Sequence, residues 1–340
     1  MTGGAHPGSD HDLSEPGCVL QRVQRVAERV AERSYGRSDA QVSLLQVSEN
    51  ATFLVESSDA APSVLRVHRL GYHSRAAIES ELAWMGALRA QAGVPTAVVI
   101  GAGDGSQVVD CPEEGTGVVR HCVMFEHVEG REPAADDAAC FEQLGALVAR
   151  MHCHSRAWRR PPTFTRHRWD LDAAFGARPR WGRWQDGIGA GGTEVAVLDR
   201  LETTLRRRLG ALGTGPDRFG LVHADIRPAN LLMHGDTLTV IDFDDCGSGW
   251  FLYDLATAFS FFEHEPQVPE LMARWLDGYR SHSELSASEL AERWTFVLLR
   301  RLLLVAWLGS HPAAAVDAPS RARYTTDTCT LADRYLSTHR

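Results

Sequence analysis

No two of the seven cysteines, at 18, 111, 122, 140, 153, 246 and 329, form a C-x-x-C pair, and together they make no even framework. With no apolar leader after Met1, the expectation is reduced thiols in a cytoplasmic protein. No apolar run approaches the roughly 20 residues that a membrane span needs. The most apolar stretch, TFVLLRRLLLVAWLGSH near the C-terminus, is interrupted by Arg300 and Arg301 and reads as a buried helix, so no membrane partner is expected. Basic charge is in deficit: 35 Lys and Arg stand against 44 Asp and Glu, a formal net charge of -9. That balance disfavours a nucleic-acid partner and mildly suits a cationic ligand. No repeat emerges at periods of 20 to 50 residues. What is present is an ordinary 44% of hydrophobic residues in 340, enough to bury substantial cores and too long for one, which suggests two lobes. The small, polar, Gly-rich MTGGAHPGSDHD is expected to be a disordered tail over residues 1–16.

The informative stretch is HADIRPAN at 223–230, followed by VIDFDD at 240–245 and WFLYDLA at 250–256. Leu221-Val222 leads into a loop containing Pro228, and Leu231-Leu232-Met233 resumes as a strand. After a turn at His234-Gly235-Asp236, Leu238 to Ile241 form a second strand with Asp242 at its end. Two short antiparallel strands then present Asn230 and Asp242 to one cation. Mg2+ prefers hard oxygen ligands, and a carboxylate with an amide oxygen meets that preference. Phosphoryl transfer asks for such a metal and for a carboxylate that orients the attacking hydroxyl and accepts its proton, a role open to Asp225. Arg227 either neutralises charge on the transferred group or pairs with a nearby carboxylate. Asp244 and Asp245 either supplement the metal or serve as turn residues, and Asp254 reads as an N-cap that holds the loop.

HADIRPANLL followed by VIDFDDCGSGWFLYDLA resembles the catalytic region of the aminoglycoside phosphotransferase and choline kinase superfamily, in which a protein-kinase-like scaffold phosphorylates small molecules. SENATFLVE at 48–56 is similar to the first hairpin of the branch holding type II homoserine kinase and hydroxylysine kinase. The resemblance implies an α+β, bilobal protein-kinase-like fold. Its nucleotide-binding N-lobe would span 17–125, with an antiparallel sheet and one helix. A mainly helical C-lobe, 126–340, would carry the catalytic loop and the acceptor pocket, with an irregular insertion at 159–194. ATP is the implied phosphoryl donor, GTP the alternative, with Mg2+. The acceptor would be a hydroxyl of an antibiotic, an amino-alcohol or an amino acid.

On the same resemblance Arg66, in SVLRVHR, takes the place of the phosphate-binding lysine. A guanidinium there grips phosphate oxygens bidentately. Glu81 would pair with it, with Glu79 as rival, in a helix marked by Ile78, Leu82, Met85 and Leu88. No G-x-G-x-x-G occurs between 42 and 56, so Ser48 and Asn50 are the candidate donors over the phosphates. VMFEHVEGRE resembles the inter-lobe hinge, making the backbone of Glu126, His127 and Val128 the candidates for the adenine edge. In the Pro-, Gly-, Arg- and Trp-rich segment, Asp170 and Trp184 are candidate acceptor contacts, since clustered tryptophans stack on rings or cage cations. The same tryptophans serve equally as packing anchors. His152-Cys153-His154 is read as a helix terminus in preference to a metal cluster. A protein serine or threonine kinase and a nucleotide-binding pseudokinase remain as alternative functions.

Overall fold

A computed structural model of the chain describes residues 16–47, 50–187, 192–311 and 317–339. Residues 1–15 of the tail expected over 1–16 and the candidate donor Ser48 lie outside the described residues, whereas Pro16 opens a helix. The chain divides into two compact units.

The first unit takes in residues up to 87, then 96–129 and 160–165. Its elements are α1 (Pro16–Tyr35), β1 (Gln41–Val47), β2 (Ala51–Ser57), β3 (Ala60–Val67), α2 (Arg75–Ala92), β4 (Val99–Ile100), β5 (Val109–Pro112) and β6 (Val119–Glu126). The last turn of α2, from Leu88, belongs to the second unit. The strands form one antiparallel sheet in the order β1-β2-β3-β6-β4, with β5 also paired to β6. Alternation places Phe53, Val55, Leu65 and Val67 on one face. There they meet Val23, Val26, Ala27 and Val30, which recur at helical spacing along α1. α2 turns Ile78, Leu82, Met85 and Leu88 inward, as its period requires.

The second unit holds 88–95, 130–159 and everything from Arg166 onward. It comprises α3 (Ala138–Ala157), β7 (Arg168–Trp169), α4 (Leu171–Phe175), α5 (Trp184–Gly187), α6 (Gly192–Leu212), β8 (Phe219–Val222), β9 (Leu231–His234), β10 (Thr237–Val240), β11 (Gly247–Trp250), α7 (Phe251–Thr257), α8 (Val268–Arg280), α9 (Ala287–Ala291), α10 (Arg293–Ser310) and α11 (Ala318–Thr338). α3 and α8 approach until the backbone of one lies where a side chain of the other would be. A Cβ on Gly145 would strike the Trp275 carbonyl, and one on Gly278 the Glu142 carbonyl. The apolar run 295–308 becomes the buried face of α10, as its sequence indicates. The segment expected to be irregular holds β7, α4 and α5, short elements joined by turns.

Candidate active site

The loop from β8 to β9 is held from below by one carboxylate. Asp254 is fully buried and accepts the His223 amide at 3.0 Å, the Ala224 amide at 2.7 Å and His152 Nε2 at 3.0 Å. Asp254 is therefore no N-cap. α7 is capped at Trp250, and Asp254 stands in its first turn, where the helix N-terminus favours a negative charge. The Ile226 amide adds a bond to Thr257 Oγ1 at 3.1 Å, and His223 Nε2 lies 3.1 Å from the Ile241 carbonyl. Pro228 opens a single 3-10 turn to Asn230, a position that needs no amide hydrogen.

Asp225 is gripped at both oxygens. Asn230 Nδ2 donates to its Oδ2 at 2.8 Å and to its carbonyl at 2.8 Å; Arg227 Nε stands 3.4 Å from Oδ2. Oδ1 accepts from Arg300 Nη2, on α10. Arg300 was not among the residues the motif suggested. Its one signal in the sequence is a cation inside an apolar helix, which must find a counter-charge when buried. Burial opposes its charge, yet Tyr253 and Asp225 outweigh that and hold its pKa above the ordinary arginine value; burial pushes the Tyr253 phenol up to about 12.

β9 and β10 form the expected hairpin, with Leu231 opposite Val240 and the Ile241 amide bonded to the Asn230 carbonyl at 3.0 Å. Asn230 and Asp242 thus leave the same end of one hairpin. Because Asn230 commits its amide nitrogen to Asp225, its Oδ1 is the atom available to a cation. Asp242 is exposed and adopts a left-handed backbone, φ 58°, an uncommon conformation for a residue with a Cβ. The turn after it, Phe243–Asp245, is gripped by Arg166. That guanidinium donates to the Cys246 carbonyl at 2.6 Å, the Phe243 carbonyl at 3.5 Å and the Asp244 carbonyl. Trp169 Nε1 adds a bond to the Asp245 carbonyl at 2.8 Å. A carboxylate and an amide oxygen at one hairpin end fit a hard divalent cation. Among the described residues no cluster of three or more His, Cys, Asp or Glu has metal-site geometry, the His152-Cys153-His154 run included.

In the first unit Arg66 Nη2 meets Glu81 Oε1 at 2.6 Å, both buried, with the guanidinium 5.2 Å from the Phe125 ring. Glu79 instead pairs with Arg75 one turn earlier on α2, on the surface. Asn50 is buried and its Oδ1 accepts the Arg69 amide at 3.0 Å, so the donor it retains is its amide nitrogen. The Glu126 and His127 amides already donate, to the carbonyls of Val98 at 2.8 Å and Pro62 at 3.3 Å.

Trp169, Trp181 and Trp184 are buried anchors. Trp169 packs against Tyr253 and Trp181, Trp181 lies 5.3 Å from the Arg300 guanidinium, and Trp184 donates to Glu202 at 2.7 Å. Asp170 caps α4 through the Ala173 amide at 3.1 Å and pairs with Arg168 at 2.8 Å. Both candidate acceptor contacts thus have structural partners.

One unit with a strand-loop-hairpin that presents an aspartate, an asparagine and a second aspartate, and another with a buried Arg-Glu pair on sheet and helix, define the class of kinase-like phosphotransferases. The chain belongs to the phosphotransferase enzyme family, whose model matches residues 43–290. It is 26% identical over 298 residues, 84% of each chain, to the amicoumacin kinase of Bacillus subtilis (strain 168). Among solved structures it is similar to a microcompartment-associated aminopropanol kinase, 45% identical with a TM-score of 0.85 over 94% of this chain and 98% of that one. An amicoumacin kinase solved with AMP-PNP, Ca2+ and Ami shares the fold at 24% identity, TM-score 0.75, covering 94% of this chain and 96% of that one. The expected α+β, protein-kinase-like fold class is the one these likenesses show. Among the described residues no helix is long and apolar enough to cross a membrane.

Proposed function

We propose that the chain transfers the γ-phosphoryl group of ATP to the hydroxyl of a small amino-alcohol, of the kind the 45% identical aminopropanol kinase is named for. The observation that carries this reading is the fixed Asp225 beside an Asn230 whose free amide oxygen leaves the hairpin end together with Asp242. The acceptor oxygen attacks the γ-phosphorus, the bond to the β-γ bridging oxygen breaks, and the hydroxyl proton passes to the Asp225 carboxylate. Asn230 Oδ1 and the Asp242 carboxylate hold Mg2+, which when bound gathers the phosphate charge. Arg66, held by Glu81, clamps phosphate oxygens, and the Asn50 amide nitrogen is a second donor to them. Val128 supplies the amide for the adenine edge, because those of Glu126 and His127 are committed within the sheet unit. Arg227 neutralises charge near the transferred group. An amine-bearing acceptor suits the net charge of -9 and the acidic run Asp242, Asp244, Asp245. Seven free thiols suit a cytoplasmic setting.

The test is acceptor-dependent ADP release with Mg2+ and ATP, offered aminopropanol, choline, homoserine and an amicoumacin in parallel. Turnover is expected with the amino-alcohol, is lost when the divalent ion is chelated, and falls by orders of magnitude in Asp225→Ala with nucleotide affinity retained. Transfer of label from ATP to protein in a cell extract, with none to these small molecules, would replace this reading with a protein kinase.

A further inference from the structure

We propose that Arg300 is a positioning residue that sets the orientation of the Asp225 carboxylate toward the acceptor hydroxyl, an inference that rests on the reading of Asp225 as proton acceptor. Arg300 comes from α10, far from the 223–230 loop in sequence, and is 2% exposed. Its guanidinium spans two consecutive residues of that loop: Nη2 bonds Asp225 Oδ1, and Nη1 lies 3.4 Å from the Ala224 carbonyl. Ala224 has φ 68°, a left-handed conformation that costs energy in a residue with a Cβ and persists only where its surroundings enforce it. The guanidinium is itself immobilised. Nε donates to Ser260 Oγ at 2.9 Å, Nη1 to the Tyr253 hydroxyl at 3.4 Å, and the Trp181 ring lies 5.3 Å from its central carbon. With Arg300 on Oδ1 and Asn230 on Oδ2, the carboxylate cannot rotate without breaking a bond at each oxygen.

The neighbouring pair on the same helix sets the contrast. Arg301 meets Glu263 with both side chains wholly buried, whereas Asp225 keeps 18% of its side chain exposed. The Arg300 pair therefore opens on one side to where an acceptor arrives. Burying an ion pair is weak as a stabilising device, since an apolar residue of similar volume often serves as well. In phosphoryl transfer the carboxylate's work is mainly to place the hydroxyl, and a displacement of about 1 Å at such a group costs about 100-fold in rate.

The experiment is a double-mutant cycle between Arg300→Lys and Asp225→Asn, with kcat read by single turnover at excess enzyme. Arg300→Lys keeps the charge and loses the fork. It is expected to lower kcat about 100-fold while the KM values for nucleotide and acceptor stay within about twofold. In the Asp225→Asn background the same change is expected to cost nothing further, because no carboxylate remains to be oriented. A purely structural arginine would lower both backgrounds alike, and that additivity overturns the proposal. Near wild-type turnover in Asp225→Asn alone overturns the reading of Asp225 and this inference with it. If Arg300→Lys does not accumulate folded, Ser260→Ala removes the acceptor of Nε, together with the bond that Ser260 Oγ donates to the Thr257 carbonyl. In the same cycle it is expected to cost about fivefold in the wild-type background, the worth of one hydrogen bond, and nothing in the other; equal losses in both again overturn the proposal.

Discussion

His152 shows how much a single buried side chain carries. Its ring is fully buried, bonded at Nδ1 to Tyr279 at 3.0 Å and at Nε2 to Asp254 at 3.0 Å, and tilted against Phe251. Burial lowers its pKa from the ordinary 6.5, against the pull of Asp254 and with a smaller contribution from Arg156. The unfolded chain therefore takes up the proton first as pH falls. This contribution to stability is complete above about pH 6.5 and is lost as the pH drops through the window below it. Thermal melts are expected to show a falling midpoint between about pH 7.5 and about pH 5.5, with a shallower slope in His152→Gln; equal slopes would remove His152 as the cause. None of this is legible in ARMHCHSR, where the spacing identifies a helix end but not which histidine faces a carboxylate some hundred residues away. Asp225, Asn230 and Asp242 could be singled out because their chemistry is packed into 18 consecutive residues, counting 225 to 242 inclusive. Arg300 and Arg166 could not, because each acts through partners supplied by distant elements.

At the scale of elements, the hairpin of β9 and β10 was plain from two short apolar runs about a His-Gly-Asp turn, and α2 from its period. The segment after Arg159 was harder. Its tryptophans and aspartates fit a ligand cage as well as a packing cluster, and composition alone does not decide. Folding places Asp170 at the N-cap of α4, where its carboxylate accepts the Ala173 amide and meets Arg168. Asp170→Ala is expected to lower stability by about 1 kcal/mol, the usual worth of such a cap, and to leave the acceptor KM unchanged. Denaturant midpoints with steady-state kinetics on the same samples check it. A several-fold rise in KM at unaltered stability would return Asp170 to the acceptor site. Arg166 belongs to the same segment, and its bonds to the turn after Asp242 make the segment a brace for that aspartate.

For the molecule as a whole, the second unit is tied through a wholly buried ion pair. Arg301 Nη1 meets Glu263 at 2.7 Å, its Nε lies 3.0 Å from Thr328 Oγ1, and its ring partner is Tyr324 at 4.1 Å. One cation on α10 thus joins α11 to the turn beyond α7. Removing one partner strands the other charge, so Arg301→Met is expected to cost about 3–5 kcal/mol, while adding Glu263→Leu restores much of it. Urea unfolding of the two variants decides; equal loss in both would mean that the pair is not what holds these elements together.

The candidate site residues, the hairpin that carries two of them and the family were set by the sequence alone, because local spacing and turn chemistry act over a few residues and survive without any knowledge of packing. Which carboxylate meets Arg66, what steadies Asp225, and which side chains the tryptophans pack against were decided only by tertiary structure. Those depend on which distant side chains are buried together, and a buried charge or indole must satisfy its polar atoms with whatever partner the fold brings within reach.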